Sequence, residues 1–126
     1  MADRAHGTVP SVAVIGVGGT GTALLPLLAS LQVSCITLVD GDTVEESNLT
    51  RQLLFTLGDV GRMKADAGTE RLRTNFPGVE WRCKAGFIDV ANCAGLLQGH
   101  SVVADCTDDL LAREVIARTC AALGIP

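Results

Sequence analysis

No Cys-x-x-Cys pair occurs in the 126 residues, and no long basic run is present. No stretch approaches the ~18 uninterrupted apolar residues of a membrane-spanning helix. The five cysteines, Cys35, Cys83, Cys93, Cys106 and Cys120, are odd in number and irregularly spaced. That argues against a disulfide framework and against a zinc site, and each cysteine reads as a small core residue rather than a nucleophile. The first ten residues hold no apolar core of signal-peptide length, so a protein of the reducing cytoplasm is expected. A formal net charge of -4 gives no general attraction to nucleic acid or to an anionic membrane, and any cationic site must be local.

What is present is a globular composition, 48% hydrophobic and 19% charged, in a chain long enough to bury roughly two-thirds of its unfolded surface around one core. Residues 1–10 read as a flexible leader, with no role assigned to Arg4 or His6, and one domain is expected over 11–126. Ser11 to Val17 reads as a buried parallel strand, and Gly16-Val17-Gly18-Gly19-Thr20-Gly21 follows it. Glycines at the first, third and sixth positions let bare backbone approach a phosphate at a helix N-terminus.

Thr20 to Gln32 then predicts a helix that is apolar around most of its circumference and kinked at Pro26. Ser34 to Val39 predicts a second strand ending at Asp40, where a carboxylate meets ribose hydroxyls in nucleotide folds. The connection 41–61 is polar and long, with a short helical turn expected over Asn48 to Phe55. Arg51 offers it a forked cation for phosphate, and Asn48 and Gln52 offer amides.

Arg62 to Phe76 predicts a helix with most of its charges on a solvated face. Lys64 opposes the helix dipole in the first turn and needs another reason to be there. Val79 to Ala85 reads as a peripheral strand, Asp89 to Leu97 as a short helix and Ser101 to Asp105 as a fourth, buried strand. Leu110 to Leu123 closes the chain as a helix capped by Asp109, with Arg113 expected to pair with an acid of the preceding turn. Strand-end carboxylates recur on one sheet edge, as a metal and phosphate site requires.

These motifs occur in order with Leu38-Val39-Asp40-Gly41-Asp42-Thr43-Val44-Glu45, Ser47-Asn48-Leu49-Thr50-Arg51-Gln52, Asp59-Val60-Gly61-Arg62-Met63-Lys64-Ala65 and Asp105-Cys106-Thr107-Asp108. Together they resemble the ThiF/MoeB/HesA family of ubiquitin-activating-enzyme-like adenylyltransferases. The resemblance implies an α/β, Rossmann-like fold, a mostly parallel sheet with helices on both faces, covering the nucleotide-binding half of such an enzyme. It implies ATP and magnesium, and a ubiquitin-like or sulfur-carrier protein whose C-terminal Gly-Gly carboxylate is adenylated with release of pyrophosphate. A homodimer or partner subunit is implied as well.

Carried over by position, Gly16, Gly18, Gly19 and Gly21 lie beside the nucleotide and Asp40 holds the ribose. Asn48, Arg51, Gln52 and Lys64 contact phosphates, Asp108 holds magnesium, and Asp42 lies near the metal. Arg51, Lys64 and Asp108 carry the catalysis. Asp109 stands where the family usually has Asn, and no Arg-x-x-Arg-Gln-like segment precedes Ser11. A non-catalytic nucleotide-binding scaffold subunit and an NAD(P)-dependent oxidoreductase using the same loop and Asp40 stay open as alternatives.

Overall fold

The computed structural model describes residues 10–31 and 33–126. Residues 1–9, with Arg4 and His6, on which the expected leader falls, and Gln32 lie outside the described residues. Four strands, β1 (Ser11–Ile15), β2 (Cys35–Asp40), β3 (Glu80–Ala85) and β4 (Val102–Asp105), form one parallel sheet in the order β3-β2-β1-β4. The helices are α1 (Gly19–Ser30), α2 (Lys64–Asn75), α3 (Cys93–Leu97) and α4 (Leu110–Leu123).

Strand alternation sends successive side chains to opposite faces, and β1 feeds two cores in this way. Val12 and Val14 pack with Leu25, Ile36, Leu38 and Leu72 under α1 and α2. Ala13 and Ile15 pack with Val39, Cys93, Leu97 and Ile116 under α3 and α4. Burial of β1 on both faces explains why it reads as an unbroken apolar run.

Several expectations are corrected. α1 continues through Pro26 but buries one face only, with Leu25 inside and Leu27 and Leu31 exposed. A helix lying on one side of a sheet has an outer face that no sheet reaches. β4 is an edge strand rather than a buried one, and Val102 is 41% exposed. The polar connection carries two 3-10 turns, Glu46–Asn48 and Leu57–Asp59, and between them the turn expected over Asn48 to Phe55, closed by the Gln52 N–H on the Asn48 carbonyl and the Phe55 N–H on the Gln52 carbonyl. The helix expected from Asp89 begins at Cys93, because Asp89 and Asn92 exchange side-chain to backbone bonds of 2.8 Å and close a separate turn first. Cys83 is exposed on β3, whereas Cys35 and Cys93 are core residues as expected.

Candidate functional site

The carboxyl ends of β1, β2 and β4 open into one cleft of about 760 Å³. β1 ends there in the glycine turn. Gly16 has φ +96°, and a Cβ on it would stand 2.8 Å from the carbonyl oxygen of Cys106. A Cβ on Gly21 would stand 2.1 Å from the Gly16 carbonyl oxygen. The turn is therefore folded against itself. Gly18, the N-cap of α1, supplies no side-chain cap, so the first-turn amides remain available to an anion.

Asp40 at the end of β2 is bonded on both oxygens: Val17 N–H donates to Oδ2 at 2.7 Å and Asp42 N–H to Oδ1 at 2.7 Å. It clamps the glycine turn to the next strand and lines the cleft. In the polar connection, the Asn48 carbonyl accepts the Arg51 and Gln52 amides at 3.2 and 2.9 Å, winding both residues onto one turn. Asn48 is buried and its Oδ1 accepts the Glu45 N–H at 2.9 Å, a structural bond. Gln52 is buried beneath Gly18, whereas Arg51 is exposed at the rim.

Lys64 begins α2 and is only 7% exposed. Among the described residues no carboxylate pairs with it, so a long cationic side chain lies along the cleft without a counter-ion of its own. Its stem is buried, but Nζ is not among the buried polar atoms left without a partner, so the ammonium itself reaches the cleft, where an anion can meet it.

At β4, Asp105 Oδ1 accepts the Thr107 N–H and Oγ1–H at 3.0 and 2.6 Å. Among the described residues Arg113 pairs with no acid, contrary to expectation; its Nε and Nη2 donate to the Thr107 carbonyl at 2.9 and 2.7 Å. The turn before Asp108 is thus held from both sides by neutral and charged donors. Asp109 Oδ1 accepts the Leu111 N–H at 2.9 Å, the cap that was expected. Asp108 is exposed in the cleft.

All of the sequence-predicted site residues line this cleft except Gly21, which faces Gly16. Gly21 is required by the shape of the turn and offers no surface to a ligand. Sequence reasoning missed Phe87 and Ile88, which form an apolar wall beyond β3. Phe87 covers Gly41 so closely that a Cβ there would stand 2.5 Å from the ring. An aromatic residue next to a glycine in space but 46 positions away in sequence leaves no local pattern to read. Cys106 also lines the cleft, where burial and the Asp105 carboxylate push its thiol up. A nucleophilic thiolate needs the opposite shift.

Asp59, quoted only as part of a motif, is a buried ion-pair centre. Its side chain is 6% exposed and faces Arg62 at 3.2 Å and Arg71 at 3.1 Å. Burial works to raise its pKa, but the Thr56 N–H and hydroxyl and the Arg71 charge outweigh burial, so the carboxyl lies below its usual range. The associated stability is fully present above the unfolded-state pKa of about 4 and is lost as pH falls through the lower folded value. Urea midpoints measured at pH 7, 5 and 3 should fall more steeply between the last two for the natural chain than for Asp59→Asn. Parallel curves would show that Asp59 carries no such linkage.

Residues 8–126 match the family described as the ThiF family. The molybdopterin-synthase adenylyltransferase of Escherichia coli K12 is 36% identical over 115 residues, which are 91% of this chain and 46% of that protein. The adenylyltransferase and sulfurtransferase uba4 of Pyricularia oryzae is 36% identical over 116 residues, 92% of this chain and 24% of that one. Among solved structures, the E. coli tRNA N6-threonylcarbamoyladenosine dehydratase TcdA, determined also with ATP, superposes with a TM-score of 0.87 at 30% identity, covering 93% of this chain and 49% of its own. The chain thus spans between a quarter and a half of the length of these proteins.

Proposed function

The chain belongs to the ThiF family, and from that premise we propose that its cleft binds ATP and serves adenylation of a C-terminal Gly-Gly carboxylate on a ubiquitin-like or sulfur-carrier protein, with release of pyrophosphate. The observation that carries this reading is Lys64, whose buried stem brings to the cleft an ammonium that no carboxylate pairs among the described residues, beside Arg51 and the uncapped first turn of α1. Three positively polarised groups facing one cleft suit a polyphosphate and exceed what a hydride-transfer site has use for. Relatives named adenylyltransferases and neighbours solved with ATP support it.

A carboxylate is ionised at neutral pH and needs no general base to attack phosphorus. The chain's work is then to hold two anions together and to steady the charge that grows on the departing pyrophosphate. Asp40 anchors the ribose hydroxyls, Gly16 to Gly19 lie along the α-phosphate, and Arg51 and Lys64 meet the outer phosphates, with Asn48 and Gln52 fixing the turn that bears Arg51. Magnesium is commonly held by one or two carboxylates plus phosphates; the described residues hold no cluster of three or more acidic, histidine or cysteine ligands, and Asp108 and Asp42, which both line the cleft, are the carboxylates that would hold it. When bound it neutralises phosphate charge. A homodimer or partner subunit, covering apolar surface such as Leu27 and Leu31, completes the proposal.

The test is ligand-linked melting. Magnesium and ATP at about 100 times Kd should add roughly 2.7 kcal/mol of stability, read as a rise of several degrees that Asp108→Ala diminishes. Stabilisation by NADH and none by ATP would replace this reading with the oxidoreductase one.

A further inference from the structure

We infer that Asp59 is the positioning residue of Lys64: its buried carboxylate locks the strap 59–64 that seats the lysine side chain in the cleft. The inference rests on reading Lys64 as a phosphate contact.

Asp59 does not line the cleft. Its Oδ2 accepts the Thr56 N–H at 2.9 Å, the Thr56 hydroxyl at 3.2 Å and Arg71 Nη2 at 3.1 Å, while Oδ1 accepts Arg62 Nη1 at 3.2 Å. Its carbonyl accepts the Arg62 N–H at 2.9 Å, closing a turn over Gly61, whose φ is +90°. From that turn the strap runs antiparallel to residues 42–44. Gly61 N–H donates to the Val44 carbonyl at 2.8 Å, Val44 N–H to the Arg62 carbonyl at 2.8 Å, and Lys64 N–H to the Asp42 carbonyl at 2.9 Å; Thr43 and Met63 bridge between them.

Asp42 in turn donates its N–H to Asp40. The hydrogen-bonded path therefore runs from Asp59 through the strap to the base of the proposed ribose site. Arg71 lies two turns along α2 from Lys64, so the same carboxylate ties the strap to the helix that Lys64 begins.

Among the described residues no acid holds the Lys64 ammonium, and the helix dipole disfavours it at that end. Its place is set by the backbone that bears it. A neutral amide at position 59 loses the charge that holds two guanidinium groups, and Arg71 already has a buried Nε without a partner. The strap then loses its anchor.

Lys64 and Lys84 are the only lysines of the chain, and Lys84 is exposed, which makes it an internal standard. Acetylation of the ligand-free protein, followed by mass spectrometry, should show Asp59→Asn raising the Lys64 to Lys84 rate ratio about tenfold, within the range of measured couplings between linked residues. Binding of ATP with magnesium should weaken about tenfold on Asp59→Asn in the natural background and less than about twofold in a Lys64→Met background. An unchanged acetylation ratio overturns the inference, and so does equal weakening in both backgrounds, which would mark general loosening. Absence of ATP binding by the natural chain would defeat the functional reading alone, and the acetylation ratio would still judge the strap. Should Asp59→Asn not fold, Arg71→Met removes one partner of the same carboxylate and is measured identically, with the same results deciding.

Discussion

Gly21→Ala is expected to leave the protein largely unfolded at conditions where Gly19→Ala is folded and at least as stable as the natural chain. The new methyl group at position 21 would lie 2.1 Å from the Gly16 carbonyl oxygen, a backbone atom that cannot rotate away. Relief requires moving either β1 or the start of α1, and both belong to the main core. Overpacking against backbone falls in the range above ~4 kcal/mol, a large share of the 5 to 15 kcal/mol total that is typical of a domain; thermal midpoints should drop by roughly 15 °C. Nothing stands within 4 Å of a Cβ at Gly19, and alanine there gains about 0.5–1 kcal/mol from helix propensity. Melting curves followed by circular dichroism decide the matter. A Gly21→Ala midpoint within about 2 °C of the natural one would refute the folded-back turn.

The second large effect separates activity from stability. On the proposed adenylation, Lys64→Met and Arg51→Ala should each reduce carrier-dependent exchange of labelled pyrophosphate into ATP by about 10²- to 10³-fold, the loss typical of one preorganised charge-stabilising donor. Lys64→Met should do so without lowering the urea midpoint, because methionine keeps most of the buried stem and removes an ammonium that no carboxylate balances. A Lys64→Met protein that is destabilised yet exchanges normally would make Lys64 a structural residue. Arg51, exposed at the rim, should be neutral for folding.

The glycine turn, Asp40 and the parallel strands β1 and β2 were legible in the sequence because each writes a local signal: an apolar run, a glycine spacing, an acid where the run stops. Lys64 announced itself as a cation at the wrong end of a helix, and its burial accords with that oddity. What stayed hidden depends on contacts between distant segments. Asp59 and Arg71 are twelve positions apart across two elements, and a stripe reading of α2 assigns Arg71 to solvent. Charge and helical spacing predict an acidic partner for Arg113, whereas in the folded turn its guanidinium donates to the Thr107 main-chain carbonyl. The exposure of Leu27, Leu31 and Val102 was equally unreadable, since hydropathy reports what a residue prefers and not which sheet faces exist to cover it.

The strand order has a consequence for how the chain is made. β1 is translated before β2 and β4 yet lies between them, and Ser101, beside the start of β4, stands 90 residues beyond Ser11. At ribosomal rates of about 5–20 residues per second, β1 waits on the order of ten seconds before its second edge can be paired. Every strand pairing is parallel and spans a crossover, which gives high contact order and slow closure. For that interval the most apolar of the four described strands offers a bare edge to other nascent chains, and yield in the cell should depend on chaperone capacity more than on the equilibrium stability of the finished fold.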